Sequence, residues 1–247
     1  MIDAEIEAIE RATVAAVSPQ AQEELPGWLL PFDSGTVSRA KSAVPLSHGP
    51  CDPALLDEIE ARYAAHAVLP IVRIPGFASF DPWRELLAQR GYAPGKPTCV
   101  ETAATRDVLR VSDAGRADTA PRPDAAWGSV FLGEGFDPVD GASRVATLSR
   151  APGALFASIR EGDAAVAAGM AAFSHGWASV HGMRTAQHCR GRGLAGRVLS
   201  TLAQAALARE HENMFLQVEA ENTSARALYR RAGFRTAWTY VYWKKNA

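Results

Sequence analysis

His188-Cys189-Arg190-Gly191-Arg192-Gly193-Leu194-Ala195-Gly196 lies between a run that reads as a strand, Trp177–Thr185, and a run with helical periodicity, residues 194–209. A glycine-rich turn entering a helix suits an anion. Small residues let backbone N–H groups approach oxygen atoms, and a helix N-terminus contributes roughly half a positive charge. Arg190, Arg192 and Arg197 add more positive charge. The alternative reading is a plain strand-to-helix turn with its arginines in solvent. Two phosphate loops are excluded. No GxxxxGK[ST] occurs, so a P-loop lysine and magnesium hydroxyl are missing. Residues 191–196 formally spell GxGxxG, but they follow an antiparallel meander, and a dinucleotide fold needs a parallel βαβ start with more alternating units downstream.

Upstream, residues 154–159 end at Glu161-Gly162-Asp163, a turn signal, before the apolar run 164–173. Ser174-His175-Gly176 turns into Trp177–Thr185, so three antiparallel strands precede the glycines. Downstream, Leu194, Val198, Leu199, Leu202, Ala205 and Ala206 share one helix face. Residues 214–220 then read as a short buried strand. Asn222-Thr223-Ser224 caps a helix over 225–232 that Gly233 stops, and Trp238, Tyr240 and Tyr242 alternate along a final strand. Before all this, residues 105–151 form a connecting region with short helices. The first half repeats the order, with a strand at 36–46, a helix at 52–67, a strand at 69–74, a helix at 81–90 and a strand at 98–103. Leu86-Leu87-Ala88-Gln89-Arg90-Gly91-Tyr92 lines up with Leu228-Tyr229-Arg230-Arg231-Ala232-Gly233-Phe234. Two related units in tandem are expected, residues 1–104 and 105–247.

From about Ala154 to Trp243 the chain resembles the GCN5-related N-acetyltransferase (GNAT) superfamily. Arg190-Gly191-Arg192-Gly193-Leu194-Ala195 matches its [QR]xxGx[GA] pyrophosphate signature. Leu216-Gln217-Val218, Asn222, Ala225, Leu228-Tyr229 and Gly233-Phe234 match its second signature. The resemblance implies an α+β (mixed α/β) fold, a central, mostly antiparallel twisted sheet flanked by helices, with the first unit a degenerate copy. It also implies acetyl-CoA as co-substrate, in a V-shaped gap between Trp177–Thr185 and residues 214–220. There Met183 and Thr185 would pair with the pantetheine arm, and an N–H near Met183 would polarise the thioester carbonyl. Arg190, Gly191, Arg192, Gly193, Leu194, Ala195 and Gly196 would hold the pyrophosphate. Asn222 and Ala225 would order the cofactor arm, and Tyr229 would protonate the departing thiolate.

The general base is open. One branch of the superfamily carries a glutamate before the strand's Val, where this chain has Gln217, which cannot take a proton. Strand alternation puts Glu219 on the same face as Gln217, and His181 on the same face as Met183, so both are candidates. Nearby groups fit other chemistries poorly. His175, His181 and His188 have no metal-ligand spacing, so no metal is expected. Ser179 lacks a GxSxG elbow. In the first half, Ser47-His48-Gly49-Pro50-Cys51-Asp52 replaces the glycine loop, with Pro50 removing an N–H and Asp52 repelling phosphate. Gly27-Trp28-Leu29-Leu30 and Arg39 read equally as packing or as acceptor pocket.

Composition narrows the function classes. Lys+Arg (26) nearly cancels Asp+Glu (27) over 247 residues, removing the field expected of a nucleic-acid binder. No membrane partner is expected either, since no stretch of about 18 uncharged apolar residues occurs. The first residues are acidic, with Ile2, Ile6 and Ile9 at helical spacing, unlike a signal peptide. Three widely spaced cysteines fit a reducing, cytoplasmic setting. The expected activity is transfer of an acetyl group to a primary amine on a small molecule or peptide, by a monomer or homodimer. The competing reading is a non-catalytic acyl-CoA-binding or regulatory module, which Gln217 favours and Tyr229 opposes.

Overall fold

The computed structural model describes residues 1–245. The final two residues of the second expected unit lie outside the described residues. The chain opens with α1 (Asp3–Val17), which buries Ile6, Ile9, Ala12 and Ala16 at helical spacing. A hairpin follows, β1 (Ala21–Leu25) and β2 (Trp28–Phe32), joined by Pro26-Gly27 with Gly27 at φ +78. The single strand expected over 36–46 is instead a 3-10 turn, Ser38–Lys41, and a two-residue strand β3 (Val44–Pro45). Val37, Ala40, Val44 and Leu46 are all buried, so the apolar pattern there reports packing and not an extended run. Next come α2 (Leu55–Ala65), β4 (Ile71–Pro75), α3 (Asp81–Gln89) and β5 (Tyr92–Ala104).

The connecting region holds α4 (Thr105–Leu109), β6 (Asp118–Ala120), α5 (Ala125–Ser129) and α6 (Pro138–Ser149). Asp124 and Asp137 start the last two helices by accepting bonds from free amides, Trp127 N at 2.8 Å and Val139 N at 2.8 Å. The second half then runs β7 (Leu155–Glu161), β8 (Ala164–Ser174), β9 (Trp177–Thr185), α7 (Leu194–Leu207), β10 (Asn213–Glu219), α8 (Thr223–Arg231) and β11 (Arg235–Lys245). Gly233, at φ +90, ends α8: Phe234 N donates to Tyr229 O at 3.0 Å and Gly233 N to Arg230 O at 3.1 Å.

Eight strands form one sheet in the order β4-β11-β5-β10-β9-β8-β7-β6, and β1-β2-β3 form a second. Among the described residues, only β10 and β9 run parallel within the larger sheet. A single parallel bridge, Ala43↔Val72, links the small sheet to β4. Read from β2 to β8, the arrangement is a palindrome: antiparallel, parallel, three antiparallel pairs, parallel, antiparallel. Its centre is the β11–β5 pair. The last strand of each half therefore lies between two strands of the other half.

Opposite faces of the large sheet carry different helices. One core joins Val198, Leu199 and Leu202 of α7 and Tyr229 of α8 to Val180, Leu216 and Val218. On the other face α1 packs Ile6, Ile9 and Ala12 against Val100, Phe215, Trp238 and Tyr240. Burial of each large aliphatic side chain stabilises by about 1.5–3 kcal/mol, so the sheet is clamped from both sides. Trp28 and Leu30 belong to a third core, where Trp28 stacks on Trp83 with ring centroids 4.5 Å apart.

Candidate functional site

β9 and β10 pair only through Met214↔Ala178, Phe215↔Ser179 and Leu216↔Val180. Beyond Val180 and Leu216 they part. The cause lies in β9: opposite β8 the register shifts between Ala168 and Met170, and Gly182 takes φ +61. That bulge kinks the strand and leaves backbone groups without a ladder partner. Only glycine fits there, because a Cβ would also meet Leu148 at 2.8 Å and Phe131 at 3.1 Å. The bulge breaks the alternation expected of this strand. Met183 joins the α7 core, its sulfur 2.5 Å from where a Cβ on Gly169 would stand, whereas His181 faces Phe215 on the α1 side. His181 and Met183 thus do not share a face.

Between the parted strands is a cleft of about 640 Å³. Its β9 wall runs from Val180 to Arg184, and its other wall holds Leu216, Gln217, Val218 and Glu219 with Asn222, Ala225 and Tyr229. The cleft thereby brings together six of the sequence candidates: His181, Met183, Glu219, Asn222, Ala225 and Tyr229. Thr185 and the loop from Arg190 to Gly196 follow the β9 wall and do not line the cleft, although Arg190 Nε reaches back to Thr185 O at 3.5 Å.

The loop leaves a helix end open. Gly193 is the N-cap of α7 at φ +77, with no side-chain cap, and a Cβ there would meet nothing within 4 Å. The first amides of a 14-residue helix are therefore left for a ligand or water. Leu194 is buried in the core and Gly196 packs toward Ser112, so these two can offer only backbone. The arginines divide. Arg192 is held by Glu161 at 2.6 Å and by Cys189 at 3.2 Å, and Arg197 donates to the Gly115 and Arg116 carbonyls at 3.3 Å. Arg190, exposed and without an acid partner among the described residues, is the cation left for an anion.

Asn222 caps α8 by accepting from Ala225 N at 3.1 Å, which fixes both residues at the cleft wall. One turn later Tyr229 is only 7% exposed, and burial, aided by the Glu101 carboxylate, pushes its phenol up to about 12. It is a protonated donor throughout the physiological range. His181 is 3% exposed; burial, with the Arg39 guanidinium nearby, drags its imidazole down to about 3. It stays neutral, and its Nε2 has no hydrogen-bond partner among the described residues. Gln217 is fixed on both sides, donating to Thr13 Oγ1 at 2.9 Å and accepting from Tyr240 OH at 2.8 Å. Behind Tyr240 lies a buried ionic contact, Arg73 to Glu10 at 2.9 Å. Glu219 stands exposed at the end of β10, opposite Thr98.

Sequence reasoning missed the third wall except for Arg39. Thr36, Val37, Ser38 and Arg39 of the first half and Tyr240, Tyr242 and Lys244 of β11 close the cleft. Of the two readings held for the first half, Trp28–Leu30 proves to be packing and Arg39 lines the cavity. No group of three His, Cys, Asp or Glu side chains that could hold a metal occurs among the described residues. No helix among them is long and apolar enough to cross a membrane.

Known proteins share this architecture. A GCN5-related N-acetyltransferase from Kribbella flavida superposes with a TM-score of 0.70 at 17% identity, covering 98% of this chain and 95% of its own. A tandem GNAT protein from the clavulanic acid biosynthesis pathway, solved without acetyl-CoA, gives 0.59 at 12% identity over 97% and 94%. At those identities the likeness concerns fold. In sequence, the chain is 27% identical over 235 residues to the uncharacterized N-acetyltransferase YobR of Bacillus subtilis, covering 93% of this chain and 94% of that one. The model of the family described as "Probable histone acetyltransferase Rv0428c C-terminal" matches residues 3–243. A match of that length fixes membership: the chain belongs to this family, within the GNAT superfamily, and is an acetyltransferase.

Proposed function

We propose that the protein moves an acetyl group from acetyl-CoA to a primary amine held in the cleft between β9 and β10. The observation that carries this reading is the parting of those strands at Val180 and Leu216, with a buried, protonated phenol on one wall and an uncapped helix N-terminus beyond the other end. The fit is chemical as well as geometric. Free backbone groups from Gly182 to Thr185 suit an extended amide-bearing arm, and the α7 amides with Arg190 suit a diphosphate.

When bound, acetyl-CoA supplies an acyl group activated as a thioester. The chain's own residues do the rest. A backbone N–H at the β9 bulge would polarise the thioester carbonyl as charge grows on its oxygen. Tyr229, a protonated phenol near 12 on the cleft wall, would donate a hydrogen bond to a departing thiolate and share its proton with it. Glu219, at the open end of the β10 wall, takes the proton lost by the amine, directly or through water. His181 is too weak a base for that step and orients groups inside the cleft. In this reading, residues 1–104 form a second GNAT-like unit that has lost its cofactor and walls the acceptor side.

A non-catalytic acyl-CoA-binding module is the second reading, favoured by Gln217 being locked in place by Thr13 and Tyr240. Calorimetry with acetyl-CoA, followed by thiol release over a panel of amines, separates the two. Binding with transfer above the hydrolysis background supports catalysis. Binding without transfer to any amine supports the module.

A further inference from the structure

The cleft's acceptor end has a composition that selects among amines. Five cations line the cleft, Arg39, Lys96, Arg144, Arg184 and Lys244, against one carboxylate, Glu219. Two of them are already neutralised, Lys96 by Glu221 at 2.8 Å and Arg144 by Asp140 at 2.6 Å. Arg184 lies over the Phe136 ring at 4.1 Å. Arg39 and Lys244 remain, both on the wall closed by the first half and β11, and neither has an acid partner among the described residues.

Around these two the acceptors are neutral and few. Arg39 Nε is buried with no hydrogen-bond partner, and its Nη1 reaches only the amide oxygen of Gln217 at 3.5 Å. Lys244 Nζ rests on Ser38 Oγ at 3.2 Å, and Tyr242 OH touches Tyr240 OH at 3.0 Å. His181, 3% exposed, adds a second unpartnered nitrogen on the same cleft. A buried donor left unpaired is costly, and a cluster of donors and cations is satisfied by oxygen atoms that carry negative charge.

Building on the acetyl-transfer reading above, we propose that the acceptor is an amine that also carries an anionic oxygen group, a carboxylate or a phosphate, bound by Arg39 and Lys244. A lysine-rich peptide is the opposite of what this wall accommodates, since each further ammonium would meet Arg39 and Lys244 across a partly desolvated space. The α7 loop, with Arg190, is the separate place for the co-substrate's own phosphates.

The test uses the purified full-length chain with acetyl-CoA and matched acceptors: β-alanine against β-alaninamide, O-phosphoethanolamine against ethanolamine, and a lysine-rich peptide. Calorimetry first measures acetyl-CoA affinity, and thiol release then gives kcat/KM. In at least one pair the anionic member should exceed the neutral one by about ten-fold or more, the scale of one charge-assisted hydrogen bond. Whichever pair responds assigns carboxylate or phosphate. Arg39→Glu and Lys244→Glu should abolish that preference while acetyl-CoA affinity stays within about two-fold. Lys244 is exposed, so its variant keeps the test open should Arg39→Glu fold poorly. Normal acetyl-CoA binding and measurable transfer, with no pair favouring its anionic member or with the lysine-rich peptide acetylated best, overturns the inference and leaves the transferase reading standing, whereas binding without transfer to any amine overturns both. Failure to bind acetyl-CoA overturns both.

Discussion

The two halves place a strand, a loop and a helix in corresponding positions, and the loops treat a negative charge in opposite ways. After β3 the chain runs through Pro50, which has no N–H, to Asp52, whose carboxylate accepts from Ala54 N at 2.9 Å just ahead of α2. After β9 it runs through Gly191 and Gly193, both at φ +77, to α7, which has no side-chain cap. Neither helix has a side-chain cap, but one has a carboxylate two residues ahead of its N-cap and the other has glycine there. The neighbouring positions agree. Leu87, buried in α3, aligns with Tyr229 in α8, and the stretch after the first parallel bridge is apolar Val44 and Leu46 where the second half has His181. A shared topology thus carries a site only where local residues leave polar groups unsatisfied.

The sharpest way to break this contrast is Gly193→Val. A β-branched residue at φ +77 is strained, and the shifted loop would withdraw its amides. Loss of two charge-assisted bonds at roughly 1.5–3 kcal/mol each lowers acetyl-CoA affinity on the order of 10²-fold or more, measured by calorimetry. Gly49→Ala, in the corresponding first-half loop, should leave that affinity unchanged. Equal losses in both variants would erase the distinction between the loops.

Tyr229→Phe tests the phenol against its aligned Leu87. Turnover should fall on the order of 10²-fold with acetyl-CoA affinity retained. An affinity collapse would make Tyr229 a packing residue like Leu87.

His181 supplies a pH signature. Its folded imidazole, near 3, binds no proton in the range where the unfolded chain, at about 6.5, already does. The unfolded state then holds the extra proton, so stability is lost as pH falls from about 6.5 toward about 3, at up to roughly 1.4 kcal/mol per pH unit from this residue. Urea midpoints between pH 7 and pH 5 should fall less steeply in His181→Asn than in the parent. The kcat/KM profile should also show no limb near 6.5 from this group. Parallel slopes in the two proteins would mean that the imidazole is not held neutral.

Arg190→Ala is the mildest change, about 1 kcal/mol or roughly five-fold in acetyl-CoA affinity, and it should flatten the salt dependence of binding. Arg192→Ala should do less, because Glu161 already holds that guanidinium.

Much of the second half was legible because its signals are local. The strand Trp177–Thr185 is bounded by a His-Gly turn and a glycine loop, and the Asn222 cap and Gly233 stop are single-residue signals. The bulge was readable in principle, since glycine inside a strand pattern marks one, but strict alternation was applied through Gly182 and put Met183 on the wrong face. Pro26-Gly27 likewise announced the β1–β2 hairpin, which Pro31 inside β2 disguised. β6 gave no signal: Asp118, Thr119 and Ala120 are all exposed at the sheet edge. Lys244 was illegible as a site residue, and Arg39 stayed undecided between packing and acceptor pocket, for another reason. About 180 to 200 residues of chain separate them from their partners across the cleft, and only the strand order brings them there.

That strand order also governs how the molecule can be made. β11 inserts between β4 and β5, so the first half contains two strands whose hydrogen-bonding edges stay open until residues far along the chain arrive. During synthesis the first half must wait with β4 unpaired along one side and β5 along both, a state prone to pairing with other chains. Contacts of such sequence separation also slow folding, because loop closure must precede the ladder that rewards it. The cleft's third wall, with Tyr240, Tyr242 and Lys244, is therefore among the last parts of the protein to form, and a nascent chain has no complete cleft before its sheet is closed.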